Sequence, residues 1–177
     1  QMALFVARVS TGWVDDYKWD YNYDWEDNTA NNSTFDDLAG TPAESYYGAI
    51  SYVNQKGVIE GYGNGKFGPT DGITYQDALT MAVRALGYNG LAYPWGYIET
   101  AINLGLDDGI TGVLFTDTLK REVVAQIIYN TLFATNKAGT TLAESVFDLS
   151  IAWTNIIITK TDIASGDVPA GYVGFSI

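Results

Sequence analysis

One segment of this chain is repeated, and the repeat limits what the chain can fold into. Residues 74–86, TYQDALTMAVRAL, lie without a gap over residues 120–132, KREVVAQIIYNTL. The apolar positions coincide: Ala78 with Val124, Met81 with Ile127, Ala82 with Ile128, Leu86 with Leu132. Spacings of three and four residues place such positions on one helical face. The opening QMALFVARV fits the same frame, with Gln1 at the Asp77 position and Arg8 at the Arg84 position. Ahead of each complete copy a second short segment recurs, SYYGAISYVNQKG against YIETAINLG, matched on Ala49-Ile50 and Ala101-Ile102. Each closes on a glycine, Gly57 or Gly105, the residue that most easily takes the left-handed backbone at a helix end. The unit is helix, glycine-rich loop, helix.

Such a unit cannot bury its apolar face alone, so neighbouring units must pack together. The expectation is a mainly α protein with one compact domain over residues 1–136. Within it, 1–12 is the remnant of a first repeat, 13–34 an insertion, 35–88 the second repeat and 89–136 the third. Residues 137–150 read as a linker with a short helix. Residues 151–177 are rich in β-branched and aromatic side chains and read as the start of a β-rich region. The opening lacks a basic segment ahead of its apolar one, and the end stops inside a strand-like pattern. Both suggest an interior piece of a longer exported protein.

Composition narrows the function. Lys and Arg total 9 against 21 Asp and Glu, a formal net charge of -12. That field repels nucleic acid and anionic membrane. No apolar run approaches the roughly 20 residues that span a bilayer, so membrane insertion is not expected. The chain has neither Cys nor His. Thiol nucleophiles, Cys-ligated metals and serine–histidine catalysis are therefore excluded. Any catalysis would rest on paired carboxylates, and no spacing here marks such a pair. The chain is read as a non-enzyme.

Between Gly57 and Asp77 the chain reads GVIEGYGNGKFGPTDGITYQD. A glycine-rich loop running into a helix can cradle phosphate, but neither phosphate-loop spacing nor a preceding strand is present. Its glycines read as a helix terminus and turns. Thr74 and Asp77 read as a helix-capping pair with Ile73 stapling the entry.

Phe35-Asp-Asp, SYYGAI, GVIEGYGNGKFGP and ITYQDALTMAVRALGY, taken in order, resemble the S-layer homology repeat. The likeness covers 35–88 well and 93–134 more loosely. It implies a three-repeat, pseudo-threefold helical bundle with grooves between repeats. It also implies non-covalent attachment of exported proteins to the bacterial wall through secondary cell-wall polysaccharide, often pyruvylated. In that family an arginine opening the second helix meets the acidic sugar, while loop glycines and an aromatic line the groove. Arg121 matches that arginine, and Tyr75 occupies the same slot in the middle repeat. Tyrosine can stack on a sugar but cannot pair bidentately with a carboxylate. Gly57, Gly61 and Tyr62 match the loop positions, and Tyr46 leads the aromatic helix. The implied carbohydrate contacts are these six residues. The alternative is a lattice or filament subunit whose repeats serve self-assembly.

The insertion alternates aromatic and acidic or amide residues. In an extended strand Trp19, Tyr21, Tyr23 and Trp25 would share one face, with Asp20, Asn22 and Asp24 on the other. The aromatic face is a candidate contact between copies of the chain. The oxygen-rich face is a candidate Ca²⁺ site. An EF-hand is excluded, since Trp25 stands where glycine is needed and Asn31 where the bidentate glutamate belongs.

Overall fold

A computed structural model describes residues 1–12 and 35–149. The insertion at 13–34 and the expected strands beyond 150 lie outside the described residues. Six α-helices follow in order: α1 (Met2–Thr11), α2 (Tyr47–Gln55), α3 (Tyr75–Ala85), α4 (Trp95–Asn103), α5 (Arg121–Phe133) and α6 (Leu142–Phe147). One turn of 3₁₀ helix, Glu44–Tyr46, leads into α2. The described residues are mainly helical. Their extended pairing is confined to isolated bridges, Gly63 with Lys66 and Thr74 with Thr118.

Helix starts follow the side-chain chemistry at each cap. The Thr74 hydroxyl accepts the Asp77 N–H at 3.3 Å and donates to the Asp77 carboxylate at 2.5 Å. The shorter aspartate thus reaches the hydroxyl, not the Thr74 amide. At α6 the longer Glu144 completes a reciprocal capping box, accepting the Thr141 N–H at 3.0 Å while the Thr141 hydroxyl accepts the Glu144 N–H at 3.1 Å. At α5 the cap residue is Lys120, whose side chain makes no cap bond.

Three helices stop in the same way. Gly57, Gly87 and Gly105 adopt φ of 69°, 88° and 70°. The next amide then turns back five residues: Val58 to the Val53 carbonyl, Tyr88 to Val83 and Leu106 to Ala101, at 2.9, 3.2 and 2.9 Å. This is the Schellman closure, and Val58 and Leu106 drop into the core as its apolar partners.

Packing is staggered along the chain. The helix that opens a repeat lies on the helix that closes the preceding one: α2 on α1, and α4 on α3. In the same way α6 lies on α5, and it also touches α1. The closing helices α1, α3 and α5 each touch the other two. Val6, Leu38, Val53, Leu79, Val83, Leu86, Tyr97, Leu106 and Ile127 are fully buried between them. The repeat register carries through unevenly. Ala78 and Val124 are both buried, but Ala82 and Leu86 are buried where Ile128 and Leu132 are half-buried.

A cleft between the repeats as candidate site

The loop after α2 is held by the aromatic–acidic motif that opens the second repeat. The Asp37 carboxylate accepts the Phe67 and Gly68 N–H groups, both at 2.9 Å. The Asp36 N–H donates to the Gly65 carbonyl at 2.8 Å, and the Phe35 and Phe67 rings pack at 5.3 Å. Burial works against ionisation of Asp37, but the amides of Gly68 and Phe67 outweigh it, and the carboxyl sits below its ordinary value. Gly61 is required on two counts. Its φ is 68°, and a Cβ there would strike the Lys66 carbonyl and the Phe35 ring. The turn it starts, with the Tyr62 N–H on the Lys66 carbonyl at 2.8 Å, lifts the Tyr62 side chain outward.

That loop, the start of α1, the outer face of α3 and the first turn of α5 enclose a cleft of about 760 Å³. Ile59, Ile73, Met81 and Val124 supply apolar lining. Two tyrosines stand at its edge, Tyr62 at 70% and Tyr93 at 55% exposure. Each is tied to a carboxylate. Partial burial and the Asp71 carboxylate, to which it hydrogen-bonds, push the Tyr62 hydroxyl up. The Tyr93 hydroxyl donates to Asp77 at 2.9 Å and accepts from the Gln76 amide at 2.9 Å.

The two cationic side chains of the cleft differ sharply. Arg84 is largely buried, pairs with Glu60 at 3.0 Å and lies 4.8 Å over the Tyr97 ring. Its charge is already answered. Arg121 is exposed, and its Nε donates to the Gln1 amide oxygen at 3.0 Å. Among the described residues it has no carboxylate partner within ion-pair distance. A guanidinium in that state can take an incoming carboxylate in a forked pair. The flat faces of exposed tyrosines suit the C–H faces of sugar rings, and the carboxylates beside them accept hydroxyl donors.

The structure brings Arg121, Gly61 and Tyr62 together on this cleft. Gly57 lies outside it and serves to end α2. Tyr46 lies in the 3₁₀ turn, away from the cleft. Tyr75 is 4% exposed and stacks on Phe115 at 5.7 Å, so its ring is spent on packing. Burial and nearby Asp107 push its hydroxyl up, keeping it neutral. Trp19, Tyr21, Tyr23, Trp25, Asp20, Asn22 and Asp24 lie outside the described residues. Among the described residues no three acidic groups cluster to hold a metal ion. Tyr93, Arg84 and Glu60 were not anticipated from the sequence. The one signal was the recurrence of arginine at Arg8 and Arg84 in the repeat frame.

Comparison with known proteins bears on the same segment. Residues 34–79 match the S-layer homology domain, so the chain carries S-layer homology sequence. It is 29% identical over 150 residues to a cell surface protein of Thermoanaerobacter kivui, covering 73% of this chain and 20% of that protein. It is 24% identical over 134 residues to a surface layer protein of Brevibacillus choshinensis, covering 68% of this chain and 12% of that one. The chain thus spans a fifth or less of the length of these relatives. No solved structure matches it. Among the described residues no helix is long and apolar enough to cross a membrane.

Proposed function

We propose that this chain is a non-catalytic module of an exported bacterial surface protein, attaching it to the wall by binding secondary cell-wall polysaccharide in the inter-repeat cleft. The S-layer homology match and the names of the two relatives support a cell-surface role. The observation that carries the finer reading is Arg121: an exposed guanidinium, without a carboxylate partner among the described residues, on a cleft flanked by Tyr62 and Tyr93. Such a site suits a neutral glycan bearing an occasional carboxylate, as a pyruvylated polymer does. The mutual packing of α1, α3 and α5, each with its own partner helix, supports a pseudo-threefold bundle.

The test is co-sedimentation with purified, pyruvylated wall polysaccharide. The native chain should be retained. Arg121→Ala should weaken binding by about ten- to a hundredfold, the value of a charge-assisted pair. Native protein that stays in the supernatant would sink the reading.

A second reading, a subunit of a surface layer or filament, is favoured by one feature. Trp95, Ile98, Ile102 and Phe115 line a shallow hollow of about 340 Å³, with Trp95 67% and Ile102 47% exposed. Sedimentation velocity with and without Ca²⁺ tests it, and covers the candidate ion site at Asp20, Asn22 and Asp24. A monomer under every condition would count against assembly.

A further inference from the structure

The outer face of α4 mixes apolar and polar groups. Tyr97 and Ala101 are buried toward the core. On the other side Trp95, Glu99 and Asn103 follow at intervals of four, all three exposed, with Ile98 and Ile102 beside them. Spacings of three and four put the five on one face. Together with Phe115 they line the hollow of about 340 Å³. The side chains of Glu99 and Asn103 make no hydrogen bond or ion pair among the described residues. A free carboxylate and a free amide thus stand one turn apart beside an open indole.

The indole is supported from below. The Phe115 ring stands at 86° to it, with centroids 6.1 Å apart. Phe115 in turn stacks on the buried Tyr75 ring, with planes 19° apart. The buried ring fixes Phe115 and Phe115 fixes the indole, while Trp95 stays 67% exposed. Such a surface is ordered before any ligand arrives. The hollow also adjoins the cleft. Tyr93, which lines the cleft, is two residues from Trp95, which lines the hollow. Between them the Gln76 side-chain amide donates to the Tyr93 hydroxyl, and the Gln76 N–H to the Phe115 carbonyl, both at 2.9 Å. The hollow is not a second copy of the cleft, since no residue of α2, the counterpart of α4, lines the cleft.

We infer that the outer face of α4 is a second saccharide site, which takes a neutral sugar unit on Trp95 with its hydroxyls on Glu99 and Asn103. The C–H face of a sugar ring suits the indole, the carboxylate accepts hydroxyl donors, and the amide both donates and accepts. No cation lines the hollow, so Glu99 repels an acidic sugar. A second copy of the chain fits less well. It would cover the Glu99 charge without a partner and bring a further net charge of -12. That the sugar belongs to the wall polymer rests on the wall-attachment reading; the site rests on the groups of the hollow itself. The two depressions then divide one strand between them, acidic units to Arg121 and neutral units to Trp95.

The probes are fragments of purified wall polysaccharide, pyruvylated and chemically depyruvylated, titrated into the chain and followed by proton–nitrogen NMR. The depyruvylated fragment should shift the Trp95 indole and Asn103 side-chain amide signals. Trp95→Ala should weaken that binding about tenfold or more, Trp95→Tyr should restore part of it, and Glu99→Gln should cost about threefold or more. Both altered side chains are exposed, so the variants keep the fold. A neutral fragment that shifts only cleft signals, or binds Trp95→Ala unchanged, would overturn the second site and leave wall attachment standing. So would binding of the pyruvylated fragment alone. Binding of the neutral fragment alone, on Trp95, would uphold the second site and overturn the role of Arg121. Binding of neither fragment would overturn both. A Trp95 signal that moves with protein concentration and not with sugar would give the hollow to contacts between copies and overturn the saccharide site.

Discussion

Gly57 and Gly61 share a backbone conformation, with φ of 69° and 68°, but not a neighbourhood. A Cβ on Gly57 would meet nothing within 4 Å, while one on Gly61 would collide with the Lys66 carbonyl and the Phe35 ring. Gly57→Ala should therefore cost about 1 kcal/mol, the strain of a left-handed alanine. Gly61→Ala should cost at least about 2 kcal/mol more, because backbone must move. Urea titration of both variants checks the order. Asp37 makes a second residue-scale case. Its folded carboxyl lies below the ordinary value of 3.8, so its contribution is fully present above that value. It is lost as the pH falls through the lower folded value. Asp37→Asn should destabilise the protein by about 1–3 kcal/mol at neutral pH. The gap from native protein should narrow as the pH falls below the ordinary carboxylate value of 3.8. Parallel denaturation curves at every pH would contradict the assignment.

At the scale of elements, the cap positions predict a gain. Thr74 and Thr141 cap α3 and α6 through their hydroxyls, but Lys120 leaves α5 without such a bond. Lys120→Thr should stabilise by about 0.5–1 kcal/mol, visible as a melting point a few degrees higher. An unchanged melting point would mean that the α5 terminus is already satisfied. The helices were legible from the sequence because a 3.6-residue period and terminal glycines are local signals; residues 74–86 carry the period and run into Gly87, while 120–132 carry the period alone. The cleft was legible only in part. Arg121, Gly61 and Tyr62 stand in motif positions, but Arg84 with Glu60 and Tyr93 with Asp77 join residues 24 and 16 apart across a loop. No periodic pattern records such pairs. Tyr75 was the hardest to place, since its burial depends on where a loop some forty residues later comes to rest. The packing of α6 on α1 and α5 was equally hidden, because a six-residue helix carries too few apolar positions to announce a face.

At the scale of the molecule, α1 is the hub: it touches α2, α3, α5 and α6. Val6 at its centre is 1% exposed, and Val6→Ala should cost about 2 kcal/mol. Removing residues 1–12 should do more than its own area suggests, since four helices lose a common partner. The native chain should melt in one cooperative step, and the truncated one broadly, with dye-binding apolar surface. A sharp transition after truncation would show that the second and third repeats suffice. The position of α6 has a mechanical consequence. The chain continues beyond residue 149, so tension applied from that side first loads a six-residue helix seated on α1 and α5. The open cleft, by contrast, is framed by α1, α3 and α5. Under load α6 would peel from α1 and α5 before the cleft itself is strained.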